Sequence, residues 1–299
     1  MSVQHLPPFV QQLLPKFIVR SVREFRLTGK LLTPRFSRQM EFEQTLEDRH
    51  SSASMSIIVP IHDAPKVTRR CLASLEKYAS ESEIVLVDDA SKLAETVEVI
   101  QQFSSRNGWK VIRHAASLGH SAGCRAGVDA TTRPYLCLLN SDTIVTPWCW
   151  RRVKEVFQSD PNIAVVGPST SHSRNTQTLA TAAELSQDWN DNQICGFAKH
   201  LLTHCLEPVL LDIPWVSGFA FFIRRNSWEE FDGFDRKLPD YGNELELCGR
   251  ISRKGYRLVW IRNAYIHHLG NQSYRETIGD EGIRRRTQSA NTYIDTEKH

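Results

Sequence analysis

Long apolar runs are missing from this 299-residue chain: no stretch reaches the roughly 18 residues needed to cross a bilayer as a helix, so no spanning helix is expected. A charge excess of one sign is missing too. The 37 Lys and Arg residues are nearly balanced by 34 Asp and Glu, a net of +3, so no general nucleic-acid role is expected. None of the seven cysteines stands in a Cys-x-x-Cys pair, and several lie in apolar contexts, as core thiols of a reducing compartment do. The first residues lack the continuous apolar core and small-residue cleavage site of a secretory leader, so the expected location is the cytoplasm. There is no internal repeat. With 40% hydrophobic and 24% charged residues, the composition is that of a soluble globular protein of one large domain or two small ones.

The charge is uneven locally. Up to Met40 the only acid is Glu24, set against Lys16, Arg20, Arg23, Arg26, Lys30, Arg35 and Arg38. Phe9, Val10, Leu13, Leu14, Phe17, Ile18, Val22 and Phe25 recur at helical spacing, although Pro15 would kink or split such a helix. Residues 1–52 therefore read as a basic amphipathic extension. It is either packed on the domain's own back, a linker, or laid on an anionic membrane surface, which would make the protein peripheral at the inner face of a membrane.

From Met55 short apolar runs alternate with helical patterns. Ser56–Pro60, Glu83–Val87, Trp109–Arg113 and Tyr135–Leu139 read as strands, separated by helices over Val67–Tyr78, Ala94–Phe103 and Ala122–Ala130. Such alternation predicts right-handed βαβ units and a largely parallel sheet. Ser169–Gln193 is polar and reads as a long loop with short helices over a site. Trp215–Ile223 is expected as a strand, Asn243–Lys254 as a helix closed by Gly255, and Leu258–Ile261 as a further strand.

The polar residues at the ends of these runs carry the chemistry. Asn140-Ser141-Asp142-Thr143 follows a buried strand directly, where oxygen ligands suit a hard cation that shares its shell with a phosphate. Capping a turn before Pro147 would use the same residues. Pro60-Ile61-His62-Asp63 ends the first strand and Asp88-Asp89 the second, and two adjacent acids exceed what capping the next helix requires. The small-residue run Leu118–Gly127 suits either close backbone approach to a ligand or helix packing. Glu244 falls in the first turn of its helix, placed to act as a general base or merely as a capping acid. His267-His268 follows the last strand, where one imidazole completes a metal shell or both are structural.

In order, Ser-Ile-Ile-Val-Pro, Val-Asp-Asp-Ala-Ser, Leu-Asn-Ser-Asp-Thr, Gly233-Phe234-Asp235, Tyr-Gly-Asn-Glu-Leu-Glu-Leu-Cys and His-x-Gly-x-x-Ser resemble the family 2 glycosyltransferases of the GT-A fold, and within them the rhamnosyltransferase-like members. The resemblance covers roughly residues 55–275. It implies an α/β fold, with a Rossmann-like, mixed but mostly parallel sheet flanked by helices. The expected division is an N-terminal helical extension over 1–52, the GT-A domain over 53–275 and a polar C-terminal tail over 276–299.

The activity implied is inverting transfer of a hexosyl or deoxyhexosyl group from a nucleoside-diphosphate sugar to a glycan or lipid-linked acceptor, in cell-surface polysaccharide synthesis. Asp88 then matches the acid that contacts the nucleobase, with Pro60 and His62 lining that pocket and Asn140 and Ser141 beside the donor. Asp142 matches the metal-bearing acid, with Mg²⁺ or Mn²⁺ as cofactor, His268 the histidine near metal and diphosphate, and Glu244 the catalytic base. Asn140 stands at the family's first acid position, Ser117 where Asn is usual, and Asn243-Glu244 in place of Glu-Asp. Two other readings remain open at this point, a sugar nucleotidyltransferase and a catalytically silent glycan-binding module. The first lacks the expected Gly-rich basic loop after its first strand, since Ile61–Pro65 is not one, and the survival of Asp142 and Glu244 weighs against the second.

Overall fold

The computed structural model describes residues 46–297 apart from 174, 180–188, 206 and 271. The amphipathic pattern before residue 46 lies outside them. The chain enters through α1 (Leu46–Ser52), where buried Asp48 pairs with Arg151 Nε at 3.0 Å. It then winds through β1 (Met55–Ile61), α2 (Pro65–Tyr78), β2 (Glu83–Asp88), α3 (Ala94–Asn107), β3 (Lys110–Arg113), α4 (His120–Asp129) and β4 (Tyr135–Leu139). The second half adds β5 (Thr143–Ile144), α5 (Cys149–Ser159), β6 (Ile163–Ser169), α6 (Asp191–His204), β7 (Leu210–Asp212) and β8 (Ala220–Arg224). The chain ends through α7 (Arg225–Glu230), α8 (Asn243–Arg253), β9 (Arg257–Tyr265), β10 (His267–His268) and α9 (Gln272–Glu297).

Eight strands form one sheet in the order β3-β2-β1-β4-β8-β6-β9-β7. β8 and β7 run against the others, so the sheet is mixed but mostly parallel. Alternation along each strand divides the core. Ile57, Val59 and Ile61 of β1 join Leu86 of β2 and Leu72 and Leu75 of α2 on one face, while Ile58, Val85 and Val87 meet Cys124 and Val128 of α4 on the other. Each such side chain contributes roughly 1.5–3 kcal/mol by leaving water.

This topology chooses the site. The chain lays β1, β2 and β3 outward, then returns to place β4 on the opposite side of β1, and ligands of open α/β sheets bind at such a reversal, outside the carboxyl ends of the strands. Asp88, His62 and Asn140 all stand at that edge, because Ile61 pairs with Asp88 in β2 and β1 is flanked on its other side by β4. The antiparallel β8 adds its start to the same edge. Leu139 pairs with Ala220, and the Asn140 N–H donates to the Phe219 carbonyl at 3.0 Å.

Two regions differ from the sequence expectation, and in a third the structure favours one of two open readings. The strand expected over Trp215–Ile223 begins only at Ala220, since residues 215–219 leave the ladder to wall the cleft. The small-residue run of α4 is explained by packing at Gly123 and Gly127: Cβ atoms there would stand 3.2 Å from Pro60 Cβ and 3.0 Å from Ile58 Cγ1. The polar residues expected as a tail from 276 continue α9 instead, kinked at Gly279, with Ile283, Ala290 and Ile294 buried. Those three apolar side chains, seven and four residues apart, are a stripe narrow enough for the segment to look polar throughout.

Candidate active site

The cleft at the sheet's carboxyl edge encloses about 280 Å³ and is lined by Asn140, Gly218, Glu244 and His268, with His120 among the other contributors. One end is built on a two-strand ladder. β10 pairs with β5, setting His268 opposite Thr143, and the Leu269 N–H donates to the Asp142 carbonyl at 2.9 Å. The Thr143 hydroxyl donates to the Asn140 carbonyl at 2.7 Å, closing the turn that follows β4.

His268 and Asp142 are both buried, with His268 Nε2 at 3.2 Å from Asp142 Oδ1. The other ring nitrogen, Nδ1, lies 2.7 Å from the His172 carbonyl and can only donate to it. In a neutral ring this leaves Nε2 an acceptor facing a carboxylate oxygen, whereas a protonated ring donates to Asp142 there. Two buried acceptors at that separation call for a proton or a cation between them. Burial would lower the His268 pKa, but the Asp142 charge and the His172 carbonyl outweigh it and raise the value above that of an ordinary histidine. Among the described residues no group of three His, Cys, Asp or Glu gathers to hold a metal. One buried carboxylate with an imidazole beside it fits Mg²⁺ or Mn²⁺, which take few protein ligands and fill the remainder with substrate phosphates and water. His267 is different. It stands 2.9 Å from the Tyr265 hydroxyl and near Trp189, and burial pushes its pKa down to about 3.

At the other end of the edge, the two adjacent acids divide their work. Asp88 is buried, accepts from the Ser91 N–H at 2.8 Å, and is ion-paired to Arg113 at the end of β3. Arg113 went unnoticed in the sequence because nothing local marks it; only the β2–β3 register brings the two together. Asp89 organises the loop before α4. Its carboxylate accepts from the Leu118 and Gly119 N–H groups at 2.8 and 2.9 Å and from the Ser117 hydroxyl at 2.7 Å, and meets His114 at 2.7 Å. Burial would raise its pKa, yet these bonds together hold the carboxyl below the usual range. Ser117, where the family usually has Asn, thus serves Asp89. His62 Nδ1 lies 2.7 Å from the Asp89 carbonyl, Pro60 is buried against α4, and Ser141 is buried beside Asp142.

Glu244 reaches the cleft from the first turn of α8. Its carboxylate lies flat over Gly218: a Cβ at that position would overlap it, meeting Glu244 Cδ at 2.5 Å. Gly218 has no positive φ, so the glycine is required for space and not for backbone freedom. The preceding residue is tied down as well. Asn243 is fully buried, and with its amide nitrogen turned to the Leu238 and Tyr241 carbonyls it donates at 3.0 and 3.1 Å, which a carboxylate there could not do. Arg250, one helical turn beyond its partner Glu246, donates to the Gly233 carbonyl at 2.7 Å and so binds the Gly233-Phe234-Asp235 turn to α8.

A sequence model of glycosyl transferase family 2 matches residues 56–231. The chain belongs to that family. Its relatives include the pre-mycofactocin glycosyltransferase of Mycobacterium tuberculosis, 25% identical over 232 residues that make up 76% of this chain and 45% of the relative. The N-acetylglucosaminyl-diphospho-decaprenol L-rhamnosyltransferase of the same organism is 28% identical over 72 residues, 24% of each chain. The chain thus spans less than half the length of these curated relatives. Among solved structures, the mannosyltransferase PcManGT of Pyrobaculum calidifontis, in complex with GDP-Man and Mn²⁺, superposes with a TM-score of 0.56 at 12% identity, covering 90% of this chain and 68% of that one. The family 2 fold is accordingly GT-A, with the cleft where the sheet topology puts it. No helix among the described residues is long and apolar enough to cross a membrane.

Proposed function

We propose that this family 2 chain is an inverting glycosyltransferase that moves a hexosyl or deoxyhexosyl group from a nucleoside-diphosphate sugar to an acceptor hydroxyl, in the synthesis of a glycan or cell-surface polysaccharide. The observation that carries the reading is the shared cleft. It has the buried His268–Asp142 pair, suited to a cation and diphosphate, at one end, and the Glu244 carboxylate, seated on Gly218, in the same wall.

In this reading Glu244 accepts the proton of the acceptor hydroxyl as that oxygen attacks the anomeric carbon from the face opposite the leaving diphosphate, so the configuration inverts. Asp142 and His268 would hold Mg²⁺ or Mn²⁺, with the neutral amide of Asn140 a weaker third contributor. Bound there, the cation supplies Lewis-acid neutralisation of charge on the diphosphate. Asp88, paired with Arg113, and His62 border the nucleobase end, and Ser141 supports the turn beneath the donor. The metal and nucleotide sugar seen in PcManGT support the assignment.

The test is a panel of UDP-, GDP- and dTDP-sugars with Mn²⁺ or Mg²⁺, read by thermal stabilisation and by hydrolysis. At least one should raise the melting temperature as a ligand of the folded state does. A chain stabilised by none of them, with or without cation, would not be a transferase of this kind.

Gly218→Ala gives a sharper result. The methyl displaces the Glu244 carboxylate, and misplacing a catalytic group by about 1 Å costs on the order of a hundredfold in turnover, while donor affinity is retained. Unchanged turnover would show that the Glu244 position does not matter.

The basic amphipathic residues 1–52 add an anionic membrane surface as a proposed partner, with the protein cytoplasmic and peripheral. Deleting residues 1–45 should release the chain from phosphatidylserine vesicles, and salt should weaken binding of the whole chain. Equal sedimentation of both forms would leave this segment a packing or linker role.

A further inference from the structure

The floor under Glu244 lies outside the sheet. Residues 215–219 precede β8 without joining its ladder, so their backbone groups need partners from elsewhere. At one end the Phe219 carbonyl accepts from the Asn140 N–H. At the other the partners are two side chains of the polar segment that follows β6. The Asn175 amide nitrogen donates to the Trp215 carbonyl at 3.0 Å, and the Ser217 N–H donates to Gln177 Oε1 at 2.8 Å. Gly218, the seat of Glu244, is the next residue.

Gln177 is the centre of this clamp. It is fully buried, and both ends of its amide are committed: Oε1 also accepts from Asn175 Nδ2 at 2.8 Å, while Nε2 donates to the Pro168 carbonyl at 2.8 Å. Pro168 belongs to β6, so one side chain joins a strand of the sheet to the floor of the cleft. The fit is tight, since a Cβ at Gly167 would overlap Gln177 Nε2 and stand 2.5 Å from Val216 Cγ1. The same segment is anchored at the cation end. Ser171 Oγ donates to the His268 carbonyl at 2.9 Å, and the Ser173 N–H donates to Thr178 Oγ1 at 2.6 Å.

We propose that Gln177 is a positioning residue for Glu244: by holding Ser217 to β6 it fixes Gly218, and through Gly218 the carboxylate that rests on it. With a Cβ on Gly218 set to meet Glu244 Cδ at 2.5 Å, the carboxylate lies against the glycine itself and follows any displacement of the floor. That this carboxylate is the base rests on the glycosyltransferase reading. The clamp stands without it.

The experiment compares the full chain with Gln177→Met, which keeps the length of the side chain and removes its three hydrogen bonds, and with Asn175→Ala at a half-buried position. Donor affinity is read by calorimetry with Mn²⁺ and UDP-, GDP- and dTDP-sugars, and turnover by hydrolysis of whichever of them the wild type cleaves. Gln177→Met should lower turnover about a hundredfold, the cost of a misplacement of about 1 Å, with donor affinity within about twofold. Asn175→Ala should act in the same direction by up to about tenfold, the worth of one neutral hydrogen bond. Added to Gly218→Ala, Gln177→Met should cost no more than about a further twofold, because both move one carboxylate, whereas independent effects would multiply to about ten thousandfold. The ¹³C carboxyl resonance of Glu244, identified as the one absent from Glu244→Gln, should shift in both variants without any ligand. Unchanged turnover or an unshifted resonance in both variants, a parallel loss of donor affinity, or multiplying effects overturns the proposal. If Gln177→Met does not fold, Asn175→Ala decides by itself. If the wild type cleaves none of the donors, or Glu244→Gln stays fully active, the transferase reading falls and the resonance alone decides the clamp.

Discussion

Replacing Glu244 by Gln is expected to lower transfer by about three orders of magnitude while leaving nucleotide-sugar affinity within about twofold, since general base catalysis contributes roughly 10²–10⁴-fold. Gln has nearly the shape of Glu, so it keeps the seat on Gly218 and the packing of the first turn of α8. What it loses is the capacity to take a proton. The effect therefore belongs in turnover and not in donor binding, a split that a collapsed cleft would not produce. Steady-state kinetics with a competent donor and acceptor, beside calorimetric donor binding, separate the two. A variant that turns over normally would remove Glu244 from the mechanism, and one that loses donor binding in parallel would make its role structural.

Asp142→Ala should act at the other end of the cleft. The wild-type carboxylate faces His268 Nε2 at 3.2 Å, in the pair proposed to hold a cation against a diphosphate. Loss of even an outer partner of a metal ligand costs about 10–100-fold in affinity, so losing the only carboxylate of the pair should cost at least about a hundredfold in nucleotide-sugar binding with Mn²⁺. The variant should also become indifferent to chelator, whereas the wild type should weaken on chelation. Calorimetry with and without EDTA reads both. Equal affinity in the two proteins, or wild-type binding untouched by EDTA, would contradict a metal at this position. The backbone of the turn should survive, because the Asp142 carbonyl, which the substitution keeps, holds the Leu269 N–H.

The parts of this fold that the sequence reveals are those written in short-range pattern. β1, β2 and β4 read as strands because a strand buried on both faces shows an unbroken apolar run, and their polar ends, Asp88-Asp89 and Asn140–Thr143, stand together at the carboxyl edge of the sheet. Helix α5 was not read from the sequence, although Trp150, Val153 and Phe157 recur at helical spacing and are buried. Nor was the start of α6, where Asn190 and Gln193 form a capping box that the polar composition of the preceding loop obscures.

Other features are properties of the folded chain alone. Gly218 is one glycine among 15 until the antiparallel β8 sets it beside Asn140 and under Glu244. Arg113 gains its meaning from strand register. The roles of Asp89 and Asn243 were hidden for a related reason. Each side chain satisfies backbone groups of a loop well separated from it or freshly turned, and hydrogen bonds to backbone leave no signature in the identity of the residues that donate or accept them.

The most direct test of the account follows the anomeric centre itself. Hydrolysis of a competent nucleotide sugar, with water standing in for the acceptor, can be followed by time-resolved ¹H NMR before the released sugar mutarotates. The first-formed anomer should have the configuration opposite to that of the donor, because Glu244 activates the attacking oxygen on the face away from the diphosphate. A first-formed sugar that retains the donor configuration would contradict direct displacement in this cleft.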